Sequence, residues 1–562
     1  MICGTLKQLT IGGFQVFDKR TTIPFGPLTL IFGPNSAGKS AILDALQTLH
    51  ELLSLDDPSE MMHPLYGQAE GLIGRHWRTS GSKPGDRSAR LTLGVLLDID
   101  LGVATSIGND PRFSQTERTA AAFCTLMRPH AQDRATAIEL ELSYLPATQP
   151  ALHDLTLTMN LDVLGSRFMD IEDASVCLYL DHPMVKAAVG RTLAHELTEI
   201  APEHFSIVGD ALRIAPMVLE GAGVSLWEAK KALTRRVEGS GDEAHAGLIA
   251  IEAFVNACFR GAAAVVSDVL SLHVVPASRV VPPARSLTYL FDSRGSELDG
   301  ESFGLVLEGS SEFREFAAGA LEATLQPWSP EDAALLDEPS GSLPPGLVRT
   351  SDLDRLNRLL SEHLFRERGY FVAGEIHELR PIGSSGTVGT SEDSSTDSRA
   401  FLVSLLLVDA DGRRLKFEEV GSGLGYALPV LAAISRDRSA VIQQPELHLH
   451  PALQSELGDG LIAALAEGDL SRYPPSPRQY IIETHSEHLL LRLLRRVREA
   501  THGSLNRNAP QLERDSLAVL YVDPQMDGSS TVRRLRISLD GEFMDRWPRG
   551  FFEERWKELF DE

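Results

Sequence analysis

The apolar positions of this chain change period several times. Leu28-Thr29-Leu30-Ile31-Phe32 is a short, nearly unbroken apolar run, which predicts a strand. A polar, glycine-rich stretch follows it. Ile42, Leu43, Leu46, Leu49 and Leu53 then recur at helical spacing. Before that strand, Leu6, Leu9, Ile11, Phe14 and the run 21–25 give residues 5–32 the look of β-hairpin material. Further β-like runs fall at 90–98, 137–144, 155–161 and 175–180, with a loop expected around 105–120. From residue 183 the pattern turns helical, over 185–200, 225–237 and 243–272. No heptad repeat is sustained there, so a compact helical insertion is expected rather than a coiled-coil arm.

A strand resumes at 273–276 and Pro282-Pro283 breaks it. Residues 301–370 read as mixed and partly helical, with a proline-rich stretch at 339–345. Residues 383–398 form a Ser/Gly/Thr/Asp loop expected to be mobile. From Phe401 onward a compact α/β pattern returns: a helix at 427–434, strands at 439–442 and 480–482, and a further helix between them. The expected domains are an N-terminal lobe at 1–182, a helical insertion at 183–272, a connecting region at 273–400 and a C-terminal lobe at 401–562.

Composition narrows the possibilities. At 562 residues, two or more domains are expected, and 43% apolar residues suffice for a substantial core. The formal net charge of −25 excludes a generally basic coat, so nucleic acid could be met only by a local basic patch. Cys3, Cys124, Cys177 and Cys258 are scattered, which argues against a disulfide framework or a zinc site and fits a reducing cytoplasm. The N-terminal residues lead straight into strand-like sequence without a signal peptide, and no run of 18 apolar residues occurs. Neither membrane insertion nor export is expected.

The glycine-rich stretch carries the first chemistry. Gly33-Pro34-Asn35-Ser36-Ala37-Gly38-Lys39-Ser40 fits G-x-x-x-x-G-K-[ST], with strand before and helix after. Glycines let backbone N–H groups turn toward an anionic phosphate, and the helix N-terminus adds partial positive charge. Lys39 is placed to reach the outer phosphates, and the Ser40 hydroxyl to ligate magnesium. ATP and Mg2+ are therefore the expected cofactors.

More than 400 residues later a second set of features falls in a fixed order. Gly421-Ser422-Gly423-Leu424-Gly425 precedes an apolar helix. The strand at 439–442 runs into Gln443-Gln444-Pro445-Glu446-Leu447-His448-Leu449-His450-Pro451, and a later strand runs into Glu483-Thr484-His485-Ser486. In this order the chain resembles the ABC-type ATPases of the RecF, SMC and overcoming-lysogenization-defect group. The strings around 445–451 and 483–490, with Trp547-Pro548-Arg549-Gly550-Phe551-Phe552, are similar to those of bacterial anti-phage ATPases. The resemblance covers roughly 1–50 and 400–562. It implies an α/β fold: an ABC-type P-loop head built from N- and C-terminal segments, with a mixed β and helical insertion.

The resemblance also implies roles. Gly421, Ser422, Gly423 and Gly425 would contact the γ-phosphate of ATP held by a second subunit, although Gly425 stands where such signatures place a serine. His485 would be the switch histidine. His448 and His450 read as structural. The strand before Pro445 normally ends in two acids, one for magnesium and one for the attacking water. Here both are amides, Gln443 and Gln444, which cannot act as general bases. Three readings stand: an engineered Glu→Gln change at Gln443 that traps ATP, a naturally slow ATPase, or Glu446 substituting for the missing acid. Gln443, Gln444, Glu446 and His485 are thus the catalytic candidates, and Ser40 and Gln443 the metal candidates.

The implied function is an ATP-hydrolysing subunit that assembles with itself around ATP and controls a separate effector in anti-phage defence. A RecF/SMC-like factor in DNA repair and an ATP-dependent scaffold with little turnover are the alternatives. Arg492, Arg495 and Arg496 share one face of a predicted helix, which suits either DNA phosphates or acidic neighbours within the protein. Acid clusters of a Toprim nuclease are not evident after the ATPase.

Overall fold

The computed structural model describes residues 4–54, 90–101, 114–131, 135–146, 155–172, 175–200, 202, 204–214, 243–277, 287–292, 297–298, 311–325, 347–348, 350–366, 368–379, 400–415, 420, 422–436, 438–466, 478–503 and 509–548. The expected helix at 225–237 and the loop at 383–398 lie outside them.

Three sheets organise these residues. The first is antiparallel with nine strands, made mostly from the N-terminal half. Its strands are β1 (Gly4–Gly12), β2 (Thr21–Pro24), β4 (Leu91–Asp100), β5 (Ala135–Pro146), β6 (Leu155–Val163), β7 (Ser166–Glu172), β8 (Ser175–Tyr179), β9 (Phe205–Val208) and β10 (Ala211–Ile214). They lie in the order β2-β1-β4-β5-β6-β7-β8-β10-β9. The second sheet has six strands: β3 (Leu28–Phe32), β11 (His273–Val275), β17 (Ala440–Gln443), β18 (Tyr480–Glu483), β19 (Leu517–Pro524) and β20 (Ser530–Leu535). Their order is β11-β17-β18-β3-β19-β20, parallel except for β20. The third sheet joins β12 (Leu287–Asp292), β13 (Leu347–Val348), β14 (Phe371–Leu379), β15 (Ala400–Val408) and β16 (Arg414–Leu415).

The six-stranded sheet confirms the α/β class and the split head. β3, from the N-terminal segment, is inserted between β18 and β19 from the C-terminal segment. Strand alternation explains why β3 is apolar at every position but Thr29. Leu28, Leu30 and Phe32 enter a core shared with Ile442, Ile482 and Val519. Ile31 enters the opposite core with Val441, Ile481 and Leu520. A parallel strand covered on both faces needs apolar residues at both parities. Thr29 is the exception, and its hydroxyl is bonded to the backbone of Gly26.

Several local expectations change. Residues 5–32 are not one hairpin: β1 and β2 pair, but β3 leaves for the other sheet. The expected loop at 105–120 gives way at Ser114, where a helix Gln115–Met127 begins. The Ser114 hydroxyl accepts from Glu117 N, and the Glu117 carboxylate accepts from Ser114 N. Such a capping box is legible as S-x-x-E. Strand β7 was hidden because Leu164 and Gly165, both at positive φ, turn the chain back after β6. The helical insertion expected at 183–272 also carries the β9–β10 hairpin, between two of its expected helices, which completes the nine-stranded sheet.

The helix Glu243–Leu270 contains a window, Ala253–Leu270, long and apolar enough to cross a membrane, and 72% of that window is buried inside the protein. It packs on the helices Gln115–Met127 and Lys39–Leu53. This is a core helix, apolar because it is enclosed.

Candidate nucleotide site

The phosphate loop leaves β3 at Gly33. A Cβ on Gly33 would lie 2.6 Å from the Val522 carbonyl oxygen on β19, and the residue holds φ 152. Gly38 holds φ 97 against the Val16 side chain, so a larger residue there meets both strain and a clash. The loop is also tied from outside: Ser530 Oγ donates to Ala37 O at 2.7 Å. Gly38 caps the helix Lys39–Leu53 without a side-chain hydrogen bond. A glycine N-cap offers the first-turn N–H groups no side-chain acceptor of its own, which suits an incoming anion.

Lys39 is buried, and its ammonium donates to Gly33 O and Pro34 O, both at 3.0 Å. It lies 3.9 Å from Glu483 Oε1. Burial pulls the Lys39 pKa below its ordinary value, and Glu483 and Glu446 partly oppose that fall. Ser40 Oγ donates to Glu483 Oε2 at 3.2 Å. Burial raises the Glu483 carboxyl above its ordinary range, against the pull of Lys39 and Ser40. A hydroxyl and a carboxylate are the hard oxygen donors that magnesium takes, and the glycine loop with an uncapped helix start fits a polyphosphate. The residues present fit both ATP and Mg2+.

The remaining candidates sit at neighbouring strand ends. Gln443 ends β17, in register with Glu483 on β18. Its Oε1 accepts from Ala277 N at 3.2 Å, beyond β11, and Ser40 is bonded to Glu483 and not to Gln443. Gln444 turns the chain at φ 45 and donates its N–H to Glu483 O. Glu446 accepts from Thr484 Oγ1 at 2.8 Å and His485 N at 2.7 Å, so it braces the ends of the two strands. His485 is half-buried, and burial followed by Lys39 lowers its pKa, which favours the neutral imidazole.

The glycine-rich turn starts the helix Ser422–Ser435, and Gly421 lies outside the described residues. A Cβ on Gly423 would lie 3.4 Å from His448 O, which seats the turn against the loop after β17. Among the described residues no hydrogen bond joins Gly423 or Gly425 to residues 33–40. The His448 ring packs on Tyr426 at 4.2 Å, and His450 Nδ1 accepts from Ala452 N. Both histidines do structural work here.

On the helix Glu487–His502, Arg492 and Arg496 bond Asp459 at 2.7–2.8 Å, and Asp459 is buried. Arg495 and Arg496 bond Glu499 at 2.6 Å. The shared basic face is thus turned largely onto acids of the same protein. Trp547 packs edge-on against Phe32 at 5.5 Å and near Tyr521, at the base of the phosphate loop.

Sequence reading missed Glu483, although it is written in the string Glu-Thr-His-Ser. The signal was an acid closing the apolar strand Tyr480-Ile481-Ile482. Its importance depends on β18 being the strand beside β3, which only the sheet order reveals.

Comparisons with known proteins agree with this geometry. Two family models match: "AAA domain, putative AbiEii toxin, Type IV TA system" over residues 284–492 and "AAA domain" over residues 8–49. No curated protein matches the chain. Solved structures similar to it include the SMC head domain from Thermotoga maritima, at 10% identity and TM-score 0.32, covering 95% of this chain and 100% of that one. Another is the Smc head domain with an extended coiled coil bound to the C-terminal domain of ScpA, derived from Pyrococcus furiosus. It has 11% identity and TM-score 0.34, with 99% and 98% of the two chains covered. These overlaps are too loose to bear on function. The matched family segments bring β3 with its phosphate loop together with β17 and β18, so the chain is similar to AAA-type ATPases over both halves of its nucleotide site.

Proposed function

We propose that the chain is an ABC-type ATPase subunit that binds ATP with Mg2+, assembles with a second copy around the nucleotide, and hydrolyses it slowly. The observation that carries this reading is the loop itself. Lys39 is folded onto the Gly33 and Pro34 carbonyls at the start of a helix whose N-cap is Gly38, a cationic cradle suited to phosphate.

In this mechanism Lys39 exchanges two carbonyls for phosphate oxygens, and the amides of the loop and first helical turn orient the phosphate chain. Magnesium bound with ATP neutralises phosphate charge. His485, whose backbone N–H is held by Glu446 and whose imidazole is favoured neutral by burial and the Lys39 charge, would serve as a hydrogen-bonding group. The glycine-rich turn opens the helix Ser422–Ser435 with backbone N–H groups at a helix start, which suits a lid supplied by a second copy. Gln443 and Gln444 lack a general base, so positioning dominates and turnover is slow. We further propose that closure and reopening serve as a signal, and that a separate effector in anti-phage defence receives it. DNA handling is the alternative, and the arginines bonded to Asp459 and Glu499 lend it no support.

The test is particle mass by light scattering, with and without Mg–ATP, alongside phosphate release. A rise to twice the chain mass with ATP, absent in Lys39→Ala, is the expected result. A mass indifferent to ATP overturns the shared-site reading. Co-purification with the product of an adjacent gene tests the effector.

A further inference from the structure

The strand that should carry the magnesium acid carries amides, yet a carboxylate stands one strand closer to the phosphate loop. Glu483 is the Cα partner of Gln443 on one side and of Ile31, two residues before Gly33, on the other. Its Oε2 accepts from the Ser40 hydroxyl at 3.2 Å, and its Oε1 lies 3.9 Å from the Lys39 ammonium. Ser40 has no other side-chain partner among the described residues. The Glu483 carboxylate is only 6% exposed. A buried carboxylate is costly unless it serves or is paired, and at 3.9 Å the lysine, itself bonded to two carbonyls, pairs it only in part.

The rival donors are committed elsewhere. Gln443 turns its amide oxygen to Ala277 N, away from β3. Glu446 uses one oxygen for Thr484 and the other for His485 N. Hard divalent cations take carboxylate oxygens and hydroxyls in preference to amide oxygens held in other bonds.

We propose that Glu483 is the carboxylate that holds nucleotide-bound magnesium together with Ser40, in place of the acid absent from β17. The inference rests on the ATPase reading above. It makes the amides at Gln443 and Gln444 compatible with a magnesium-competent natural site, since the acid has moved across one strand rather than vanished.

The experiment titrates a fluorescent ATP analogue into the full chain in EDTA and in excess Mg2+, and reads the ratio of the two affinities. Glu483→Gln is expected to reduce that ratio at least about tenfold, because the lost bond is to a charged group. Affinity in EDTA should be preserved or tightened, since a negative charge near the phosphates is removed. Glu483→Asp, which keeps the charge on a shorter stem, should retain part of the ratio, and Gln443→Ala nearly all of it. Binding in EDTA shows that each variant is folded, and Mn2+ spin resonance on the parent chain and Glu483→Gln reads the ion directly. If Glu483→Gln keeps the full ratio and an unchanged Mn2+ signal, this inference falls and the ATPase reading stands. If the parent chain binds no nucleotide under either condition, both fall.

Discussion

The ends of β17 and β18 lie side by side in register and carry opposite chemistry. β17 ends in Gln443, whose side-chain oxygen accepts from Ala277 N, and Gln444 follows it with its backbone N–H donating to Glu483 O. β18 ends in Glu483, a carboxylate bonded to Ser40 of the phosphate loop. Sequence order alone gives β17 the catalytic strand, because it precedes the Pro-Glu-Leu-His-Leu-His-Pro string. Sheet order gives β18 the place beside the phosphate loop. The difference teaches that sheet order, not sequence order, decides which acid lies beside the loop, and that strands adjacent in space stand far apart in sequence.

Removing the buried cation beside the end of β18 should have the largest effect. Lys39→Ala is expected to weaken ATP binding by about 100-fold, on the scale of charged hydrogen bonds, and equilibrium dialysis would measure it. A loss under threefold would mean that the loop is not the nucleotide cradle.

Glu446 is the brace between the two strand ends, so Glu446→Ala attacks the comparison itself. Loss of its two hydrogen bonds should cost about 2 kcal/mol, read as a lower denaturant midpoint at unchanged slope. An unchanged midpoint would show that the two ends are held independently.

Gln443→Glu would make the strand ends alike. Two carboxylates in register should destabilise the protein by about 1 kcal/mol without nucleotide, and bound Mg–ATP should relieve that cost. Phosphate release compared between the two chains sharpens the point. A rise in rate marks Gln443 as a trapping amide, whereas equal rates remove that idea.

The smallest effect is a displacement along the pH axis. Burial raises Glu483 above the ordinary 4.5, so its ionised form is disfavoured in the fold. This group therefore costs stability as pH rises from 4.5 toward its raised value. Magnesium needs the ionised form, so the gain in ATP affinity from Mg2+ should fade as pH drops through that raised value. Glu483→Gln should flatten this profile, and an identical profile would assign the titration to another group.

Much of this was legible in one dimension. The loop 33–40 was readable because its function demands local backbone geometry, glycine at Gly33 and Gly38, within a strand–loop–helix context. The strands around 440–443 and 480–483 were readable for a similar reason, since buried parallel strands must be apolar at both parities. Leu164, a branched side chain at positive φ, gave no turn signal, so β7 stayed hidden. The β9–β10 hairpin is short and attaches to a sheet formed far upstream, so its local pattern could not outweigh the helices around it. Arg492 and Arg496 form a basic face in sequence. Only packing of their helix against Pro451–Ala466 shows that Asp459 neutralises it. Glu483 was invisible for the most general reason, because adjacency between strands is a long-range property.

The insertion of β3 between β18 and β19 also governs the order of events at birth. The phosphate loop emerges from the ribosome early, but its flanking strands follow on the order of tens of seconds later. Until then β3 lacks both of its neighbours in the sheet, so its backbone edges stay unpaired and its apolar faces uncovered by the rest of that sheet. On the reading proposed above, nucleotide competence follows synthesis of β18 and β19, so ATP binding would report the completed six-stranded sheet rather than the first lobe.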